Sequence, residues 1–441
     1  MENREFIDSC FEKCISGKIL EKEEIIKLLD IEVNSEEDSY LREKARSAAA
    51  HITGNSGCSW AAVGMDYEPC PMNCKFCSFA EKFDLIKEKR HVTEDELLAH
   101  IKTFVAGGAG YIALRTTEFY STDVLLSYVK KIRSETPGNY EILLNTGELD
   151  PVKARHIAAN GVYGAYHALR LREGQDTPFD PEVRRSTMMA IGNSDLSLMS
   201  FLDPVSPEHT HEEIAARLLD ILSCNPSMCG VMALFPVKGT AMEHVRMLTE
   251  DEIAHITAVV RLSCGRNVRD ICAYPSSLKT MKAGANLCIV EAGAIPRSAE
   301  YSAEEWTGNA MQTMRQMIKD AGYRLSMPPA KRTGNKKCPC SGTTDEDFIK
   351  PVMLKAMLDG PAPLYDVCET LCQVMEYGEP DLDILAELSD SLTEMERCGY
   401  IRIADDMCSI TERGIRAYKL WKSMIDDYRS SLLRAGKYLD I

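Results

Sequence analysis

Residues 106–111 read Ala106-Gly107-Gly108-Ala109-Gly110-Tyr111, where a glycine turn ends a helical pattern and an apolar run begins. The pattern returns at residues 158–163 and 282–287, and in shorter form at residues 321–323. Glycine adopts the left-handed conformation that ends a helix and turns the chain into a sheet. The repeat therefore predicts several units in which a helix leads into a buried strand.

Eight short apolar runs are the candidates for these strands. They are spaced by roughly 20 to 45 residues, which leaves room for the helix that each parallel connection requires. Eight such units in about 270 residues are typical of a (β/α)8 barrel of the TIM type, an α/β fold. The predicted strands are Ala61–Met65, Tyr111–Leu114, Glu141–Leu144, Gly164–Leu169, Leu196–Phe201, Val231–Phe235, Val268–Ala273 and Leu287–Val290.

The regions on either side of the barrel, which we assign to residues 56–326, differ in character. Residues 1–55 carry helical patterns and are predicted to form an N-terminal helical segment. Residues 327–346 contain a proline pair, a basic run and two cysteines, and are predicted to be a linker. Residues 347–441 resemble a winged-helix domain. Acidic residues outnumber basic ones there, which disfavours DNA binding. Protein docking, dimerisation and a lid remain its alternative roles.

Composition and charge exclude several classes of protein. The chain has 441 residues, of which 45% are hydrophobic and 27% charged, an ordinary globular composition. Its net charge of −16 provides no overall attraction for nucleic acid or anionic lipid. No apolar run approaches the roughly 20 residues of a membrane span, and the polar N-terminus lacks a signal-peptide pattern. We therefore expect a cytoplasmic protein with neither a membrane nor a nucleic acid as partner.

The cysteines carry the strongest chemical signal. There are 17 of them, and an odd number without an export signal favours reduced thiols and metal ligation in an anaerobic setting. Cys70, Cys74 and Cys77 follow the first predicted strand in C-x3-C-x2-C spacing. A 4Fe–4S cluster normally takes four cysteines, so three would leave one iron open to a small ligand. A zinc loop or a plain electron-transfer cluster is the alternative.

This motif, with Phe76 before its last cysteine, resembles that of the radical S-adenosylmethionine (SAM) superfamily. The helical N-terminus, the full barrel and Phe235-Pro236-Val237 are similar to its biotin-synthase-like group, with biotin synthase, FeFe-hydrogenase maturase and methylornithine synthase. The resemblance implies an enzyme with a 4Fe–4S cluster and SAM. Such an enzyme reductively cleaves SAM to a 5′-deoxyadenosyl radical, which abstracts hydrogen from a small-molecule or carrier-bound substrate. It also implies a reducing electron donor of the flavodoxin or ferredoxin type.

The resemblance places SAM at the C-terminal ends of the predicted strands. Arg170 is expected to bind the SAM carboxylate, because a guanidinium binds carboxylates bidentately. Arg172 is its competitor, since the register is ambiguous, and Glu173 would bind polar groups of SAM. Phe235 and Val237 would lie under the adenine. Alternatively, the charged residues form rim salt bridges and the apolar ones ordinary core. The other expected SAM-binding residues are Phe76, Thr116, Thr117 and Asn145.

A second cluster would decide the net reaction. Biotin synthase holds one with cysteines from strands two, three and five, and none of these strands contains cysteine here. Cys338 and Cys340 could instead ligate a second cluster, together with Cys58, Cys272 or Cys288. With a second cluster we expect sulfur insertion, as in biotin or lipoyl synthases. Without one, the alternatives are carbon-skeleton rearrangement and metallocofactor assembly.

The sequence gives less information about the substrate than about the fold or the cofactors. Asp203, Tyr274, Ser276, Ser277 and Glu291 follow or end the later strands, and this polar set fits a small, charged or hydroxylated substrate. One rival of another class is an iron–sulfur sensor that reads DNA through its winged helix. A second rival is an enzyme that uses SAM as a methyl donor.

Overall fold

The computed structural model describes most of the first three quarters of the chain and parts of the remainder. The chain divides into two compact units, Met1–Lys331 and Arg332–Ile441. The division falls inside the stretch predicted to be a linker. The described residues are 2–297, 308–326, 354–358, 360–363, 366–367, 392, 395–396, 399–404, 407–416 and 418–419.

Three helices precede the barrel, as the sequence predicted. They are α1 Glu2–Ser16, α2 Lys22–Leu29 and α3 Glu36–Thr53. The α3 helix begins where the Ser35 side chain accepts a hydrogen bond from the backbone N–H of Asp38. The apolar faces of α1 and α2 are buried, so this segment belongs to the same hydrophobic core as the barrel.

The strands of the first unit follow in chain order. They are β1 Ser56–Gly64, β2 Asp66–Tyr67, β3 Arg90–His91, β4 Tyr111–Arg115, β5 Glu141–Asn145, β6 Gly164–Tyr166, β7 Ser197–Met199, β8 Leu202–Val205, β9 Met228–Ala233, β10 Asp270–Tyr274, β11 Leu287–Gly293 and β12 Arg324–Leu325.

Among the described residues, eight parallel strand positions close into a barrel. β1 pairs with β11 on one side and with β4 on the other, and the ladder continues through β5, β6 and β7. β9 pairs with both β7 and β10, which closes the ring, and β10 pairs with β11. The predicted (β/α)8 fold is therefore confirmed. The fifth predicted strand, Leu196–Phe201, corresponds to β7, and β8 follows it as a separate short strand that also pairs with β9.

Helices cover the outside of this barrel. Their N-termini are set by local sequence: Thr93, Thr210 and Thr249 each form a capping box with a glutamate three residues later. The predicted glycine turns are present, with positive φ at Gly108 and Gly161. The helices are α4 Glu94–Ala106, α5 Thr122–Glu135, α6 Pro151–Ala159, α7 Pro181–Gly192, α8 His211–Ser223, α9 Glu250–Cys264, α10 Leu278–Lys282 and α11 Gly308–Asp320.

The inside of the barrel is filled by aromatic side chains. Trp60 lies 6.3 Å from Tyr166 and 5.8 Å from Phe201, measured between ring centroids, and all three are buried. In the layer directly above Trp60, the inward-facing positions of β1 and β4 carry Ala62 and Ala113. Because alternate residues of a strand face the same side, these small residues leave space above an aromatic floor.

The described part of the second unit contains a small antiparallel sheet. Its strands are β13 Ala362–Pro363, β14 Ile401–Ala404 and β15 Met407–Ile410, in the order β13-β15-β14. Ile401 and Cys408 are buried with Leu354, Met357 and Val367. The β14–β15 hairpin lies within the region that resembles a winged-helix domain, and the winged-helix assignment stays a prediction. In the part of the chain that the structure describes, no helix combines the length and the apolar character needed to cross a membrane.

Candidate active site

A cavity of about 190 Å³ opens at the C-terminal ends of the barrel strands. This is the end of the barrel at which ligands bind in the TIM fold. The cysteine loop contributes Cys70, Cys74 and Cys77 to its wall, and Phe76 lines it as well. The aromatic floor closes it below, where Trp60 lies.

The cysteine loop is held in one shape by its own backbone. The N–H of Cys70 donates to the carbonyl of Phe79 at 2.6 Å, and the N–H of Cys77 donates to the carbonyl of Cys74 at 3.2 Å. Asn73 has φ +51, and its side-chain oxygen accepts the N–H of Lys82 at 2.8 Å. The loop therefore folds back on itself and presents three thiols to one cavity.

The cavity suppresses ionisation of these thiols when they are free. Burial raises the pKa of Cys74 to about 12 and that of Cys77 to about 11, and it also raises the pKa of Cys70. A metal centre would reverse this, since ligation deprotonates thiols. Across the described residues, no three His, Cys, Asp or Glu side chains converge as ligands of a single ion. A cubane differs, because its cysteines bind separate irons.

Arg170 lies beside the thiols. Its Nε is 3.8 Å from the Asp203 carboxylate, and this buried nitrogen has no hydrogen-bond partner. Burial alone would lower the pKa of Arg170, but the carboxylates of Asp203 and Glu173 outweigh that effect and raise it. Arg170 is thus a permanent cation with an unused donor in the cavity wall. A ligand carboxylate would satisfy that donor.

Polar residues at the ends of β4 and β5 line the cavity next to the cysteine loop. Asp66 accepts hydrogen bonds from the backbone N–H of Thr117, at 2.9 Å, and from its hydroxyl. The N–H of Thr116 donates to the carbonyl of Asn145 at 2.9 Å. Burial raises the pKa of Asp66. Glu118 lines the cavity too, so this side is rich in acceptors for a ligand ammonium group.

Three of the predicted SAM-binding residues do not line the cavity. Arg172 donates from Nε to Glu213 at 2.7 Å, at the start of α8. Glu173 is buried and accepts the N–H of Arg170 at 2.7 Å, so its contact with a ligand would be indirect. Val237 is buried outside the cavity lining, whereas Phe235 lines it with its ring centroid 5.5 Å from that of Tyr274.

Arg184 and Arg297 are among the charged residues of the site that reasoning from sequence missed. Arg184, on α7, lies 3.2 Å from Glu118 and 3.1 Å from Glu148, so one arginine is shared by two carboxylates. Arg297 ion-pairs with Glu291 at the end of β11. Arg297 could have been found from its position shortly after a barrel strand. Arg184 lies on a helix, and no sequence signal separates it from a surface arginine.

The barrel cysteines proposed for a second cluster, Cys58, Cys272 and Cys288, do not line this cavity. Cys58 and Cys272 are buried inside the barrel in the cluster that includes Trp60. The Cys288 thiol instead lies 3.5 Å from the sulfur of Met281, on the helical side of the barrel wall. Cys338 and Cys340 lie outside the described residues. A second cluster stays a prediction.

Comparison with known proteins relates the chain to a biotin synthase by sequence and to solved structures by fold. No model of a known protein family matches it. Biotin synthase from Chlorobium luteolum is 26% identical over 215 residues, which are 44% of this chain and 61% of that protein. The chain thus spans less than two thirds of the length of this relative.

Two solved structures share the fold. Methylornithine synthase (PylB) has a TM-score of 0.61 at 17% identity, covering 72% of this chain and 97% of that one. HydG, a maturase of the FeFe-hydrogenase, has a TM-score of 0.60 at 13% identity, covering 89% of this chain and 94% of that one. The fold and site define a (β/α)8 barrel with a three-cysteine loop at its ligand-binding end. The predicted resemblance is thus confirmed as a likeness in sequence to a biotin synthase and in fold to methylornithine synthase and a hydrogenase maturase.

Proposed function

We propose that this chain is a radical SAM iron–sulfur enzyme that acts on a small-molecule substrate. One observation carries the proposal: three cysteines and a buried arginine donor without a hydrogen-bond partner share a single cavity at the C-terminal end of the barrel. The donor set fits the two ligands. Three thiolates suit a 4Fe–4S cluster with one open iron, and an arginine suits the carboxylate of SAM.

The roles of the chain's own residues follow from the cavity. Cys70, Cys74 and Cys77 would hold the cluster, which when bound supplies the electron for reductive cleavage of SAM. Arg170 would bind the methionine carboxylate through its unused Nε. The acceptor-rich side formed by Asp66 and Glu118 would bind the methionine ammonium.

The remaining walls would orient the nucleoside and keep water out. Phe235 offers a ring at the cavity edge for the adenine, and Thr116, Thr117 and Asn145 are the polar candidates for the rest of SAM. The aromatic floor under the cavity is buried, with Trp60 4% exposed and Phe201 1% exposed. A dry floor would protect a reactive radical from side reactions.

The test is anaerobic reconstitution with iron and sulfide, followed by dithionite reduction in the presence of SAM. We expect about four irons per chain and release of 5′-deoxyadenosine, identified by mass spectrometry. The matched control is Cys77→Ala, which should lose both signals. S-adenosylhomocysteine as the product would instead assign a methyl donor role. Iron binding with no SAM-derived product, together with specific DNA binding, would assign a sensor.

The net reaction is tested by counting iron in two proteins. About eight irons in the wild type and about four in a Cys338→Ala/Cys340→Ala variant would support a second cluster and sulfur insertion. About four in both would leave carbon-skeleton rearrangement or metallocofactor assembly. We further propose a cytoplasmic location under anaerobic conditions, with a flavodoxin- or ferredoxin-type electron donor.

A further inference from the structure

One carboxylate in the cavity wall is shared by two arginines. Glu291, on β11, ion-pairs with Arg115 at the end of β4 and with Arg297 beyond the end of β11. We call these three residues the arginine–glutamate bridge. The side chains of Glu291 and Arg115 are 3% and 11% exposed, and that of Arg297 is 19% exposed and lines the cavity.

The charge of this bridge is not balanced locally. Two guanidiniums face one carboxylate, so the bridge carries one positive charge in excess. Burial would raise the pKa of Glu291, but Arg297 and Arg115 outweigh it and hold the pKa at about 2, so the carboxylate stays ionised. Asp203 also acts on Arg297 electrostatically, but it is ion-paired with Arg170 at 3.8 Å and accepts the Tyr166 hydroxyl at 2.9 Å.

The opposite imbalance lies at the end of β4. There Arg184 is paired with both Glu118 and Glu148, and His167 lies 3.2 Å from Glu148. The nearby Asp66 carboxylate accepts hydrogen bonds from Thr117. This negative side and Arg170 account for the ammonium and carboxylate ends of SAM. The arginine–glutamate bridge has no part in this binding of SAM and is therefore available to another ligand.

Arg297 is oriented for that ligand. Its guanidinium carbon is 4.6 Å from the ring centroid of Tyr274 and 5.7 Å from that of Phe235. Its Nε is buried and has no hydrogen-bond partner. A buried donor without an acceptor is costly, and a rigidly held guanidinium loses little freedom when an acceptor arrives. The site therefore favours a planar anion such as a carboxylate.

The register of the strands shows what lies beneath the bridge. Glu291 is opposite Ala62, which is opposite Ala113 on β4. One layer lower, Ile289 is opposite Trp60. Since alternate residues face the same side, the space under the charged layer is bounded by small and apolar side chains. A ligand that places an anion on Arg297 would rest an apolar carbon segment there.

We propose that Arg297, supported by Arg115, binds the carboxylate of the substrate, which is a small carboxylic acid with an apolar carbon segment. That this acid is a substrate rests on the proposed function. The binding site itself does not, because the bridge and its apolar floor require no SAM cleavage.

The experiment measures binding of matched probes to the reconstituted protein with SAM present. The probes are propionate, hexanoate and 3-phenylpropionate, each compared with its primary amide by isothermal titration. At least one acid should bind about tenfold or more tightly than its amide, as expected for a charge-assisted hydrogen bond. Arg297→Gln should abolish that preference. Glu291→Gln should strengthen acid binding, because the competing carboxylate is gone. Arg246→Gln, which alters an exposed arginine paired with Glu252, is the control.

The outcomes separate this proposal from the proposed function. Equal binding of every acid and its amide, or unchanged acid binding in Arg297→Gln, overturns the carboxylate site even if SAM is cleaved. A loss of SAM affinity in Arg297→Gln as large as in Arg170→Gln also overturns it, since Arg297 would then hold SAM. Should Arg297→Gln fail to fold, the opposite-signed effect of Glu291→Gln decides. An acid preference without 5′-deoxyadenosine release supports the carboxylate site and refutes the proposed radical SAM activity.

Discussion

Replacing Arg170 by glutamine tests the arrangement of the cavity most directly. The side chain is 23% exposed, lines the cavity with the three cysteines, and ends in a buried Nε without a hydrogen-bond partner. Glutamine keeps most of the volume and removes the charge. The variant leaves Asp203 with its hydrogen bond from Tyr166 at 2.9 Å, so the wall keeps a partner for that carboxylate.

The size of the effect follows from the bonds lost. A hydrogen bond to a charged group contributes about 1.5–3 kcal/mol, and a guanidinium–carboxylate pair makes two of them. Solvent entering the open cavity offsets part of this, so we take about 3 kcal/mol for the whole contact. Since about 1.4 kcal/mol corresponds to a tenfold change, the dissociation constant for SAM should rise about 100-fold.

The assay is equilibrium dialysis of radiolabelled SAM against anaerobically reconstituted protein with its iron counted. Arg172→Gln is the informative comparison, because sequence reasoning could not choose between the two arginines. Arg172 is bonded to Glu213 outside the cavity lining, so its loss should leave SAM affinity within about twofold and cost at most about 1 kcal/mol of stability. If Arg172→Gln weakens SAM binding and Arg170→Gln does not, the proposed role of Arg170 is refuted.

Further predictions concern the cluster and the fold. Cys74→Ala should reduce reconstituted iron from about four per chain to well under one, measured by colorimetric iron assay. Gly64→Ala should destabilise the barrel by about 2 kcal/mol or more, because the new Cβ would clash with the Ala294 carbonyl; urea unfolding measures it. The bond to Arg246 outweighs burial and lowers the pKa of Glu252 to about 2 from 4.5. Its stabilising effect is therefore full above about pH 4.5 and fades as pH falls towards 2. Glu252→Gln should cost about 1 kcal/mol at pH 7, and its gap to wild type should narrow in urea titrations from pH 5 to pH 3.

The sequence alone was sufficient for the barrel and the cysteine loop. The glycine turns and apolar runs are local signals, and each of the eight predicted strands overlaps a strand of the structure. Cys70, Cys74 and Cys77 are close in sequence, so one short loop brings them to one cavity. Backbone propensity and short spacing act over a few residues, which is why both could be predicted without an alignment.

Only the tertiary structure revealed which charged residues share the cavity. Arg115 and Glu291 are 176 positions apart, and they meet because β1 lies between β4 and β11 in the ring. That Arg170 lines the cavity and Arg172 does not also needed the fold, because a difference of two positions in a loop after a strand cannot be resolved by alternation alone. Ring closure and loop path are set by packing over the whole barrel, and no local pattern encodes them.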